Sequence, residues 1–143
     1  MPHLVILYTP NLDNEVNMTG LCRALADTML TVLDEAGKQV FPTGGVRVLA
    51  YPAAHFAVAD GGAAGRAAGG DGDYGFMYLN LRMGRGRSDA VKQQAGQALE
   101  ATAMALLKPL LARKPVGVTL QIDEGPEVFD AKNSSLHPLF KKA

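Results

Sequence analysis

The chain has 143 residues, of which 48% are apolar and 20% charged, a composition and length suited to one globular domain. Its formal net charge is zero, which leaves nothing to attract a nucleic acid or an acidic membrane surface as partner. Cys22 is the only cysteine, so no disulfide forms within the chain, and a reducing, cytoplasmic setting is expected.

Taken in chain order, residues 2–8 hold the apolar run Leu4 to Tyr8 without a basic lead-in. The run is too short for a signal peptide or a membrane span and suits a strand covered on both faces. Residues 19–36 follow with Leu21, Leu25, Met29 and Val32 at helical spacing, and Gly37 stands where a left-handed cap is expected. Residues 46–51 form a second strand. The stretch 60–73, rich in Gly and Ala, is expected to be a mobile loop. It carries Arg66 but no Lys-Ser/Thr ending of a phosphate loop.

In residues 74–83, Met77, Leu79, Leu81 and Met83 alternate with Phe76, Tyr78, Asn80 and Arg82, the pattern of a strand with two different faces. Ser88 is a good N-cap for a helix running to about residue 111, with Val91, Ala95, Ala98, Leu99, Thr102 and Leu106 on its buried side. Residues 116–122 alternate again.

The order is therefore strand–helix–strand twice. It predicts one domain of mixed α/β class, with pseudo-repeats at about 1–59 and 74–125, a joining loop at 60–73 and a tail at 126–143. Two βαβ units make a four-stranded sheet with two helices on one face. The other face, carrying Leu49, Tyr51, Phe76 and Tyr78, then needs cover, and further copies of the chain are the simplest source.

Few residues offer chemistry. His3, His55 and His137 lack the spacing of metal ligands, so no metal site is expected. No Gly-x-Ser-x-Gly elbow and no dinucleotide fingerprint is present. Pro2 stands out, because removal of Met1 makes it a secondary amine at the head of a core strand. An ordinary α-amino group has a pKa of about 7.7–8.0. Burial or a nearby arginine lowers it and frees a base for proton abstraction near neutral pH. His3 is adjacent and is a secondary candidate. Arg47, Arg85 and Arg87 offer planar cationic forks, the last two just before a helix N-terminus, where anions are favoured. Asp89 competes for that terminus.

Met1-Pro2-His3, Gly45-Val46-Arg47, Asp73-Tyr74, Gly84-Arg85-Gly86-Arg87-Ser88, Gln93-Gln94-Ala95-Gly96 and Leu136-His137-Pro138-Leu139-Phe140 together resemble the 5-carboxymethyl-2-hydroxymuconate isomerase family of the tautomerase superfamily. The resemblance runs nearly end to end, interrupted by the Gly/Ala insert. It implies a tautomerase-like fold, a homotrimer and no cofactor. It implies Pro2 as general base and Arg47 and Arg87 as binders of substrate carboxylates. The substrate implied is a carboxylated dienol from homoprotocatechuate (4-hydroxyphenylacetate) breakdown. The resemblance also shows departures: Leu49 stands where the family has a further arginine, and Arg85 replaces a small residue. These departures bear on the substrate more than on the reaction type and leave open a related enzyme acting on another unsaturated oxo-acid. From another class, a non-catalytic trimeric binding module is the remaining reading.

Overall fold

A computed structural model describes residues 2–141 of the chain. Its elements in order are β1 (His3–Tyr8), α1 (Met18–Thr31), β2 (Arg47–Pro52), α2 (Ala63–Ala67), β3 (Gly75–Met83), α3 (Asp89–Arg113) and β4 (Val116–Glu124), with single 3-10 turns at Pro10–Leu12, Thr43–Gly45 and His137–Phe140. The strands form one sheet in the order β2-β1-β3-β4. β1 runs parallel to β2, β3 runs parallel to β4, and β1 and β3 pair antiparallel. Two βαβ units are thus joined edge to edge.

Strand alternation builds the core. Leu4 and Ile6 of β1 and Met77, Leu79, Leu81 and Met83 of β3 are fully or almost fully buried. They pack with Leu21, Leu25 and Met29 of α1 and with Ala95, Leu99, Ala103, Leu107 and Leu110 of α3. The Asn17 side chain caps α1 by accepting from the Gly20 N–H at 3.0 Å. Ser88 caps α3 by accepting from the Val91 N–H at 3.2 Å. Thr28 of α1 and Thr102 of α3 share a hydrogen bond of 2.6 Å between their hydroxyls, which joins the two helices across their seam. Cys22 is half-buried beside the core, and burial pushes its thiol pKa up, as suits a packing residue.

Three local expectations are corrected. α1 ends at Thr31, not residue 36. Asp34 takes over the chain there, its Oδ1 accepting from the N–H groups of Ala36 and Lys38 at 2.9 Å each. Gly37, at φ +77°, serves that turn rather than the helix end. An Asp side chain that satisfies backbone donors locally competes with helix continuation. On α3, Leu106 is exposed and Leu107 enters the core, because the buried positions step by four through residues 91–107 before a step of three.

The Gly/Ala stretch holds the short helix α2 where a loop was expected. The Asp60 carboxylate accepts from the Gly62 and Ala64 N–H groups at 3.0 and 2.9 Å, and the Tyr74 hydroxyl accepts from the Gly65 N–H at 2.8 Å. Asn11 donates to Asp73 Oδ1 and to the Tyr74 carbonyl, and Lys114 pairs with Asp73, so the end of the insert is tied to the body. Gly62 sits at φ +102°, and a Cβ there would stand 2.3 Å from the Gly72 carbonyl oxygen. Gly62→Ala is therefore expected to open this segment at a cost of about 1–3 kcal/mol. Hydrogen exchange should show faster exchange at residues 60–74 with the sheet amides unchanged.

Candidate active site

The helix-free face of the sheet is graded from end to end. Strand pairing aligns Arg47, His3, Arg82 and Asp123 in one row at the start of β1. The next row holds Leu49, Val5, Asn80 and Gln121, and the third holds Tyr51, Leu7, Tyr78 and Thr119. Charge is concentrated at one end and apolar surface at the other. Leu7, Leu49, Tyr51 and Phe76 are 47%, 45%, 50% and 38% exposed, so within one chain β1 is covered on one face only. Asn80 Nδ2 donates to Asp123 Oδ2 at 2.8 Å and the Tyr78 hydroxyl donates to Gln121 Oε1 at 2.9 Å, which pairs the polar groups of β3 and β4.

His3, Arg47 and Arg82 of this row floor a cleft of about 350 Å³, walled by the C-terminal tail through Glu127, Asp130, Lys132, Asn133 and Ser134. Arg47 Nη1 donates to the Gly45 carbonyl at 2.8 Å, which ties the guanidinium to the 3-10 turn before its own strand. The tail supports that turn from outside: a Cβ on Gly44 would lie 2.7 Å from His137 Nδ1 and 3.1 Å from Phe140 Cδ2. Pro2 is buried at the head of β1, one residue beyond the charged row. Pro2 precedes His3, which lines the cleft, by one residue, a step of about 3.3 Å along an extended chain. Met1 lies outside the described residues.

His3 stands in the middle of the row. Burial, followed by the Arg47 charge, lowers its pKa below the ordinary imidazole range, against a smaller opposing pull from Asp130. The ring is therefore neutral at neutral pH. In the unfolded chain the same ring takes up its proton at higher pH than in the folded chain. Acidification below about 6.5 accordingly favours unfolding, and the contribution of His3 is fully present only above that value. A His3→Gln variant is expected to lose less of its melting temperature than the parent between pH 7.5 and pH 5.5.

The other two arginines lie elsewhere. Arg87 borders a second cleft of about 360 Å³ with Glu35, Lys38, Gln39, Pro42 and Ser88. Its guanidinium lies 5.3 Å from the centroid of the buried Phe41 ring and donates to the carbonyls of Gly84 and Val40 at 3.1 and 3.4 Å. Within one chain, Arg47 and Arg87 thus line separate clefts. Arg85 is exposed and borders neither. Asp89 pairs with Lys92 at 2.9 Å, and Ser88 donates to Glu35 at 2.6 Å, so the start of α3 is already supplied with carboxylates. Arg82 was not among the residues singled out from the sequence, although its alternation with Asn80 and Tyr78 shows which face it shares.

A sheet of two parallel βαβ pairs joined antiparallel, with both long helices on one face, is the tautomerase fold. A fused 4-OT, wild type, solved as an asymmetric trimer, has it at a TM-score of 0.58 and 17% identity over 98% of this chain and 99% of that one. Likeness within that class is much higher to a crystal structure of 5-carboxymethyl-2-hydroxymuconate delta-isomerase, with a TM-score of 0.97 and 64% identity over 100% of this chain and 95% of that one. The 5-carboxymethyl-2-hydroxymuconate Delta-isomerase of Escherichia coli is 26% identical over 99% of this chain and 100% of its own length. The family model for 5-carboxymethyl-2-hydroxymuconate isomerase matches residues 2–140, and the chain belongs to that family. It is an isomerase of that family, built on the tautomerase fold. Among the described residues, no helix is long and apolar enough to cross a membrane.

Proposed function

We propose that the chain isomerises 5-carboxymethyl-2-hydroxymuconate in homoprotocatechuate (4-hydroxyphenylacetate) breakdown, a cytoplasmic step, with Pro2 as general base after loss of Met1. The observation that carries this reading is the position of Pro2, buried at the head of β1 beside the row that holds Arg47 and Arg82. Apolar burial and neighbouring guanidinium charge both disfavour an ammonium group, so the amine rests neutral and ready to accept a proton. The amine takes the proton of the 2-hydroxyl group and the electron pair shifts along the diene. The ammonium then returns the proton to a carbon further along, leaving the 2-oxo-3-ene isomer. A guanidinium beside the 2-oxo carboxylate stabilises the negative charge that develops on oxygen.

Arg47 and Arg87 are the proposed carboxylate binders. Their separation within one chain is met in a homotrimer in which one copy supplies Arg47 and another supplies Arg87. The exposed apolar end of the helix-free face supports such an assembly. Ultraviolet assay of the purified protein with 5-carboxymethyl-2-hydroxymuconate and with other unsaturated oxo-acids tests the reading. Faster turnover of another oxo-acid would replace the substrate, and no turnover of any would favour a binding module. Arg87→Ala is expected to raise KM about ten- to a hundredfold through loss of a charge-assisted carboxylate contact.

A further inference from the structure

Arg82 has no role in the reading above, yet it lines the same cleft as Arg47 and His3. It is exposed, and among the described residues it makes no hydrogen bond or ion pair. No carboxylate forms an ion pair with it among the described residues. Asp123, opposite it on β4, accepts from Asn80. Asp130 pairs with Lys132 at 2.8 Å, which leaves Glu127 as the carboxylate in the cleft without such a partner. Arg82 is thus a cation of the lining without a hydrogen-bond or ion-pair partner among the described residues. Arg47 and Arg82 stand on strands either side of β1, two strand spacings apart, or about 9.6 Å. Each is a planar fork matched to a carboxylate.

We infer that Arg82 is a specificity-determining residue that holds a second carboxylate of the molecule whose first carboxylate is held by Arg47. This makes the cleft select dicarboxylates over monocarboxylates. The inference rests on the reading of this cleft as the substrate site, and it adds a cation on β3 that positions the substrate without touching the proton that moves. The neutral state of His3 between the two arginines fits this division, since a third cation there would hold the carboxylates without distinguishing their spacing.

The test is calorimetric binding of adipate and of hexanoate, two unreactive acids of equal chain length with two carboxylates and one. The parent protein is expected to bind adipate at least tenfold more tightly. Arg82→Gln should bring adipate down to within about threefold of hexanoate and leave hexanoate unchanged, and Arg82→Lys should give an intermediate loss because it keeps charge without the fork. Equal losses for both acids, or unchanged adipate binding, would overturn the inference. So would the absence of any adipate preference in the parent. Melting temperatures of the variants check that the fold is intact. Assay of the parent on 5-carboxymethyl-2-hydroxymuconate keeps the two readings apart. An inactive parent with an Arg82-dependent adipate preference refutes the proposed reaction alone, and an active parent without that preference refutes the role of Arg82 alone.

Discussion

A protein whose Pro2 nitrogen is kept acylated, by retention of Met1 or by one added residue, is expected to turn over its dienol substrate about 10²–10⁴-fold more slowly, with KM changed far less. The size follows from what acylation removes. An amide nitrogen is no base at any accessible pH, while the ring, its burial and the strand that follows are unaltered. The carboxylate contacts proposed for Arg47 are expected to persist, and the loss to fall on the chemical step. Pro2→Ala is a milder change, because processing before alanine leaves a primary amine at the same place. Its expected loss is smaller than that of the acylated protein. Intact mass gives the state of the terminus, and initial rates at saturating substrate give kcat. Equal rates for the free and the acylated terminus would remove Pro2 from the mechanism and return attention to His3, whose neutral imidazole is the nearest alternative acceptor.

The parts of this site differ in how far the sequence reveals them. Alternation in residues 75–83 already assigns Arg82 to the face of Tyr78 and Asn80, and the helical spacing in residues 21–29 already marks the buried stripe of α1. These are local signals with periods of two and nearly four residues. That His3 lies between Arg47 and Arg82 depends instead on which strands pair and in what register. Those pairings join residues some forty and eighty positions apart, and no local pattern encodes them. That Arg87 and Arg47 line separate clefts is likewise a matter of tertiary packing, in which Arg87 sits over the Phe41 ring, and no local pattern encodes it. The ordered insert was hidden by composition. Gly and Ala suggest a mobile loop, but Asp60 and Tyr74 satisfy its backbone donors with side-chain oxygens.

Phe41→Ala is expected to cost about 3–5 kcal/mol of stability and to weaken carboxylate binding as well. The ring is fully buried and is one of the largest side chains enclosed by the fold. It lies on the segment that returns from α1 to β2, held by the Val40 N–H to the Val32 carbonyl at 2.9 Å and by Gln39 Nε2 to the Phe41 carbonyl at 2.7 Å. The truncation leaves a cavity that these bonds prevent from collapsing, which places the cost in the upper part of the range for such changes. The same ring carries the Arg87 guanidinium on its face, a contact worth about 0.5–2 kcal/mol by itself. Without it Arg87 keeps only its bonds to the Gly84 and Val40 carbonyls, the second of them long. Chemical denaturation measures the first effect. The second is read as a rise in KM at a temperature where the variant remains folded. Phe41→Leu separates the two, because leucine refills most of the volume but offers no π face. It should recover most of the stability while KM stays raised, and a KM restored along with stability would show that Arg87 depends on packing here rather than on the aromatic face.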